Sequence, residues 1–162
     1  MSVGLKEAMA SFATGVTVAT SRHGGEDYGM TCNSFNTVSM EPALVLWSIR
    51  KNSGSHAAFL QGGGFVINVL AKHQKDLAMQ FTRGSQHERF KGVAMERTET
   101  DRIRISESVA WFDCALVQAV SAGDHDILIG RVLAFDRRDE DGLVYARRTF
   151  GVLQPLAADM AL

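Results

Sequence analysis

Cysteine, proline and long apolar runs are scarce in this sequence of 162 residues, and charge of either sign is not in excess. Two cysteines, Cys32 and Cys114, are too few for a disulfide framework. No Cys-x-x-Cys, His-x-x-x-His or His-Glu-x-x-His spacing occurs, so no tetrahedral metal site is expected. The longest near-continuous apolar stretch, 43–49, has seven residues, whereas a membrane-spanning helix needs about 20. Lys6 and Glu7 precede any apolar run, which is not the order of a signal peptide. A cytoplasmic protein without a membrane segment is therefore expected. Lys and Arg number 17 against 18 Asp and Glu, a net charge of −1. That balance lacks the clustered basic charge that nucleic acid or an anionic membrane surface requires. Gly-x-Gly-x-x-Gly and Gly-x-x-x-x-Gly-Lys are missing too, which excludes the usual Gly-rich cradles for nucleotide phosphates.

What is present is an ordinary globular composition, 46% apolar and 22% charged, with a length that suits one domain over 1–162. Fifteen glycines against two prolines indicate many tight turns. Leu5, Ala8, Met9 and Phe12 share a helical face, so a short helix is expected over 5–12. A β-branched, alternating segment follows Gly15 and stops at a Gly-Gly turn after His23. Residues 28–40 read as a polar strand or extended loop, and 43–50 as a buried strand. A helix entry over 52–56 leads into 57–60, and Gly62, Gly63 and Gly64 end that helix. A strand is expected over 65–70, a helix over 72–81, and a polar loop over 83–92. The mixed charges of 96–107 read as a solvated stretch. Two long strands, 111–120 and 127–135, flank a turn, and 143–145 supplies a last strand. Strands outnumber helices and do not alternate with them, which favours a mainly β fold, a small closed barrel with flanking helices.

Three clusters have the residue types for chemistry. Residues 29–39 are rich in Thr, Asn and Ser, including Thr31, Asn33 and Ser34 around Cys32. They read either as a polar edge strand or as a neutral hydrogen-bonding wall for a flat heterocycle. In 48–56, Ser53 and Ser55 stand at a helix start beside Arg50 and Lys51. This is either an ordinary cap or a phosphate site. His125, flanked by Asp124 and Asp126, lies at the turn between the long strands, as a turn histidine or a ligand contact. Cys32 has no neighbouring base to activate it and reads as a small structural side chain.

Taken in order, these segments resemble the flavin reductase-like family, short NAD(P)H:flavin oxidoreductases that supply two-component monooxygenases. The matching stretches include 12–20 (FATGVTVAT), 29–35 (GMTCNSF), 48–55 (SIRKNSGS), 65–70 (FVINVL), Arg89-Phe90, 123–125 (GDH), 129–132 (IGRV) and 143–145 (LVY). They span nearly the whole chain in one register. Glu41-Pro42-Ala43 departs from the paired prolines frequent in the family, and 146–151 is a loose version of its closing segment.

The resemblance implies an FMN-binding split barrel of Greek-key type, a homodimer, and NADH- or NADPH-dependent reduction of FMN, with FAD as an alternative. A flavin-dependent monooxygenase would receive the reduced flavin. It also implies that Thr31, Cys32, Asn33 and Ser34 line the flavin ring. Ser48, Ile49, Ser53 and Ser55 would hold the ribityl chain and phosphate, Arg89 and Phe90 would lie near the flavin tail, and His125 would meet the nicotinamide nucleotide. No side-chain acid or base is required, because hydride passes between the cofactors. Two other readings remain: a flavoprotein passing electrons to ferric complexes, and a flavin-binding module without turnover.

Overall fold

The computed structural model describes residues 3–156. The chain opens with α1 (Val3–Ala10), β1 (Thr14–Gly15), β2 (Thr17–His23), β3 (Glu26–Cys32), β4 (Asn36–Met40) and β5 (Ala43–Arg50). It continues through α2 (His56–Gln61), β6 (Gly64–Val69), a 3₁₀ turn (Lys72–Gln74), α3 (Lys75–Gln80) and α4 (Gln86–Phe90). The last elements are β7 (Met95–Arg97), β8 (Ile103–Ile105), β9 (Ala110–Ala122), β10 (His125–Arg137), β11 (Val144–Ala146) and β12 (Thr149–Gly151).

Seven strands form one antiparallel sheet in the order β3-β2-β6-β9-β10-β5-β4. The β2–β3 hairpin pairs His23 with Glu26 across Gly24 and Gly25, at φ 60° and 83°. Both turn positions need the left-handed backbone of a type I′ hairpin, which glycine supplies without a steric cost. Residues 17–21 of β2 are all buried, which explains the run of Val, Thr and Ala there in place of strict alternation.

The sheet must curl. Trp47 of β5 packs against Phe65 of β6, with ring centroids 5.9 Å apart, although β9 and β10 lie between those strands in the sheet. Phe59 of α2 adds a second edge-on contact with Trp47 at 4.8 Å. Around these rings gather Ala19, Val45, Ile49, Ile67, Cys114 and Leu128, the barrel interior. Gly130 admits Phe65, since a Cβ there would lie 2.5 Å from that ring. A second cluster, with Val16, Val18, Leu70, Ala78, Phe81, Ile103, Ile105 and Leu143, packs on the other side of β2. The expected mainly β barrel with flanking helices is the observed architecture.

Several local expectations change. Residues 83–92 are not all loop: α4 forms there, with Ser85 accepting from the Glu88 N–H and the Glu88 carboxylate accepting from the Ser85 N–H. The stretch 96–107 is not simply solvated. It holds the β7–β8 hairpin, in which Ile103 and Ile105 are buried on alternate positions while Arg104 faces outward to Glu96. The polar segment 28–40 divides into β3 and β4, and the helix expected over 72–81 divides into the 3₁₀ turn and α3. α1 ends at Ala10, and Leu5, Met9 and Phe12 stay exposed rather than packing on this chain's core.

Candidate functional site

One cleft of about 580 Å³ is lined by residues from five parts of the chain. The end of β3 and its following turn contribute Thr31, Cys32, Asn33 and Ser34. β5 and its exit contribute Ser48, Arg50, Asn52 and Ser53. Phe81 and Thr82 follow α3, Arg89 comes from α4, and His125 opens β10. Alternation along β5 decides who reaches it. Val45, Trp47 and Ile49 point into the barrel, leaving Ser48 and Arg50 on the cleft side.

The wall is held by its own polar groups. Ser34 Oγ accepts from the Ser48 N–H at 2.9 Å and donates to the Ser48 carbonyl at 3.2 Å, joining the β3–β4 turn to β5. Thr31 donates its hydroxyl to the Ala78 carbonyl and its N–H to the Phe81 carbonyl at 3.3 Å, seating α3 on the sheet edge. Asn33 is exposed and makes no side-chain hydrogen bond among the described residues, so its amide is available to a ligand.

Cys32 is inert. Its surroundings desolvate the thiolate and push the thiol up to about 11, against the weaker opposing effect of Thr17, whose Oγ1 lies 3.0 Å from Sγ. The thiol is neutral across the physiological range, and nothing in the cleft acts on it as a base. Cys32→Ser is expected to leave turnover within about threefold, since the swap is nearly isosteric and removes no charge. Iodoacetamide labelling of the native protein should be slow at pH 8 and accelerate only towards pH 11. Rapid labelling at pH 7 with parallel loss of activity would restore a nucleophilic role.

The far side of the cleft is cationic. Arg89 Nη1 donates to the Gly29 carbonyl at 2.7 Å, and Gln86 Oε1 accepts from the Gly29 N–H at 2.8 Å. Two side chains of α4 thereby satisfy both backbone groups of one residue on the edge strand. The approach requires glycine: a Cβ on Gly29 would lie 2.5 Å from Phe81 and 2.9 Å from Phe90. Burial lowers the Arg89 guanidinium from its ordinary value, and it has no carboxylate partner among the described residues. Arg50 adds a second cation, and no carboxylate lines the cleft.

His125 is fixed by Asp124, whose Oδ1 lies 2.7 Å from Nδ1. The contact holds the Asp124 carboxyl below its ordinary range. Beneath the turn, Lys51 donates to Ser121 Oγ at 2.6 Å and to the Gly123 carbonyl at 2.8 Å. His56 Nε2 lies 2.6 Å from Asp126 Oδ2. These contacts lock the β9–β10 turn to the segment that carries Ser53.

Of the eleven residues expected at the site, Thr31, Cys32, Asn33, Ser34, Ser48, Ser53, Arg89 and His125 line this cleft, and three do not. Ile49 is fully buried in the barrel core, so its side chain does not reach the cleft. Ser55 is also buried. Its hydroxyl accepts from Gln86 Nε2 at 2.8 Å and makes no cap bond to α2. Phe90 stacks edge-on to Phe81 at 5.0 Å and faces a neighbouring cavity beside Asp27 and Gln86. Asn52 and Thr82 line the cleft without having been singled out, Arg50 lines it as the basic neighbour expected beside the phosphate site, and Gln86 braces it from behind. Gln86 lies in a segment whose sequence reads as loop, so no local signal points to it.

Residues 9–154 match the model of the flavin reductase like domain. The reductase component of flavin-dependent trigonelline monooxygenase from Acinetobacter baylyi is 43% identical over 90% of this chain and 47% of its own length. The NADH-dependent FMN reductase SmoA of Agrobacterium fabrum is 39% identical over 90% of this chain and 83% of its own. The chain spans about half the length of the first two such relatives, 47% and 46%. Among solved structures, the NADH:FAD oxidoreductase SgcE6 of Streptomyces globisporus, in complex with NAD and FAD fragments, superposes with a TM-score of 0.90. It is 32% identical, covering 96% of this chain and 94% of that one. A split-barrel sheet, a cleft walled by 31–34, and a match over nearly the whole chain together make this protein a member of the flavin reductase like family.

Proposed function

We propose that the chain uses NADH or NADPH to reduce FMN or FAD and passes the reduced flavin to a monooxygenase. The observation that carries this reading is the composition of the cleft: neutral donors and acceptors along 31–34 and Ser48, the arginines Arg50 and Arg89 beside them, and no carboxylate among the lining residues. Its volume lies within the range of about 300–1,000 Å³ usual for small-molecule sites. The hydride chemistry belongs to the flavin and the nicotinamide. The chain's part is to bind and orient them. Asn33 and the backbone of 31–34 offer hydrogen bonds to a flat heterocycle, Arg89 and Ser53 suit a phosphate, and His125 stands at the mouth as a donor towards the nicotinamide nucleotide.

The relatives named as reductase components of flavin-dependent monooxygenases support an oxygenase partner. Homodimerisation belongs to the same reading. Val117, Val120, Leu133 and Phe135 along β9 and β10 are exposed, as are Met9 and Phe12, apolar side chains that a second copy would cover. We also infer a cytoplasmic location. No helix among the described residues is long and apolar enough to cross a membrane.

The test is NADH oxidation against flavin concentration. Saturation in free FMN or FAD is expected; flavin-independent turnover with a ferric complex would replace the reading by electron transfer, and no turnover would leave a binding module. Two substitutions refine it. His125→Ala should raise the Michaelis constant for NADH about fivefold, the worth of about 1 kcal/mol for one hydrogen bond, with FMN affinity within about threefold. Unchanged NADH kinetics would return His125 to the role of a turn residue. Ser53→Ala should weaken FMN binding at least ~10-fold and riboflavin little, because a bond to a charged phosphate contributes about 1.5–3 kcal/mol. Ser55→Ala acts only through Gln86, so it should weaken both flavins alike and modestly. Equal losses for FMN and riboflavin in Ser53→Ala would place the phosphate elsewhere.

A further inference from the structure

Past Arg50 the chain leaves the sheet and re-enters regular structure at His56, the first residue of α2. The near end of this excursion is fixed by the ladder, where Arg50 pairs with His125. The far end is fixed by a side chain. His56 places Nε2 2.6 Å from Asp126 Oδ2, and its N–H donates to the Ser53 carbonyl at 3.0 Å. His56 thereby joins the peptide of Ser53 to β10. The ordinary means of holding a helix start is absent here: Ser55, at the N-cap of α2, makes no cap bond and gives its hydroxyl to Gln86.

Asp126 follows His125 on β10 and, by strand alternation, points to the opposite face, where the residue is only 8% exposed. A carboxylate there needs a donor. Because a carboxylate only accepts, the His56 ring donates to it through Nε2. The other carboxylate oxygen lies 3.9 Å from Lys51 Nζ, which itself grips Ser121 and Gly123. Ser53 Oγ accepts from the Ser55 N–H at 3.3 Å, so its own proton is left to a ligand in the cleft. We infer that His56 and Asp126 form a positioning pair that holds Ser53 ready for a flavin phosphate. Part of the preference for FMN over riboflavin then resides in two residues that do not line the cleft. Order already present in the free protein is order that the ligand does not have to impose. The inference rests on the functional reading above for the phosphate at Ser53.

The experiment uses the full chain and the variants His56→Ala, His56→Asn, His56→Gln, Ser53→Ala and Ser53→Ala/His56→Ala. Fluorescence titration gives the dissociation constants of FMN and riboflavin, and NADH oxidation at saturating FMN gives the Michaelis constant for NADH. His56→Ala should weaken FMN about fivefold, the equivalent of one ordinary hydrogen bond. Riboflavin and the Michaelis constant for NADH should stay within about twofold, since His125 is held separately by Asp124. His56→Asn keeps a polar residue at the helix start but stops short of Asp126, so it should match His56→Ala even if the alanine variant folds poorly. The Gln amide reaches the position of Nε2, and His56→Gln should restore FMN binding to within about twofold of the wild type. If the pair acts through Ser53, the double variant loses no more than Ser53→Ala alone; independent effects would multiply to roughly 50-fold. Multiplied losses overturn the inference, as does an equal loss for riboflavin or an unchanged FMN affinity in His56→Ala and His56→Asn. Failure of the underlying reading looks different: Ser53→Ala itself would then bind FMN as the wild type does, which removes the phosphate from Ser53 and the positioning role with it.

Discussion

Asp113→Ala should cost the fold about 3–5 kcal/mol, the usual loss when one member of a buried ion pair is removed. Asp113 is 1% exposed on β9, and its carboxylate accepts from Arg102 Nη1 at 3.1 Å and from Thr100 Oγ1 at 2.6 Å. Arg102 also donates towards the Gly62 and Cys114 carbonyls at 3.4 and 3.5 Å. Gly64 makes room for this guanidinium, because a Cβ there would lie 2.7 Å from Nη2 and would collide with the Cys114 carbonyl. Without Asp113 the guanidinium, whose side chain is only 11% exposed, loses its one carboxylate partner among the described residues. For a chain of this size the loss corresponds to a fall in Tm of roughly 6–20 °C. Urea unfolding of the wild type, Asp113→Ala, and the double variant Arg102→Met/Asp113→Leu separates the pair from the packing. The double variant should recover most of the stability, since an apolar replacement removes both desolvation costs. A single-variant loss under about 1 kcal/mol would show that the pair is solvated in solution.

Arg89→Ala should have the largest effect on flavin binding. Arg89 does two things at once: it braces the sheet edge through the Gly29 carbonyl and presents a cation without a carboxylate partner to the cleft. Loss of a charge-assisted bond to phosphate is worth about 1.5–3 kcal/mol, or ~10- to 150-fold in the dissociation constant for FMN. Riboflavin should lose less, because only the bracing contact affects it. Arg89→Lys keeps the charge but cannot donate to Gly29 and to a ligand in the same fixed fork. It is expected to fall between wild type and Arg89→Ala. Fluorescence titration with both flavins measures this directly, and equal losses for FMN and riboflavin would leave Arg89 with a bracing role only.

The Arg89 contact shows why some of the site was hidden in the sequence. Gly29 and Arg89 are 60 residues apart, and α4 lies in a segment whose Ser, Gln, His and Lys look like loop. Nothing local joins them. The same holds for Asp113 and Arg102. Arg102 looked like one charge among many, and only the burial of Ile103 and Ile105 on alternate positions turns that stretch into a hairpin that carries it inward.

Local chemistry by itself determined a good deal of this protein. The Gly-Gly hairpin after His23 follows from a backbone that must take positive φ twice. The neutral wall at 31–34 follows from side chains too polar for a core yet set between apolar strands, and the paired long strands at 111–120 and 127–135 follow from β-branched and aromatic runs around a Gly-Asp turn. The tertiary structure alone decided which of those side chains face the cleft. Ile49 and Ser48 are neighbours in sequence, yet a strand sends them to opposite sides, and only the curl that brings Trp47 onto Phe65 makes Ile49's side the interior. Ser53 and Ser55 share a motif, but Gln86 of α4 takes the hydroxyl of Ser55 and leaves Ser53 to the cleft. Periodicity travels along the chain, whereas inside and outside are set by contacts between segments far apart in it.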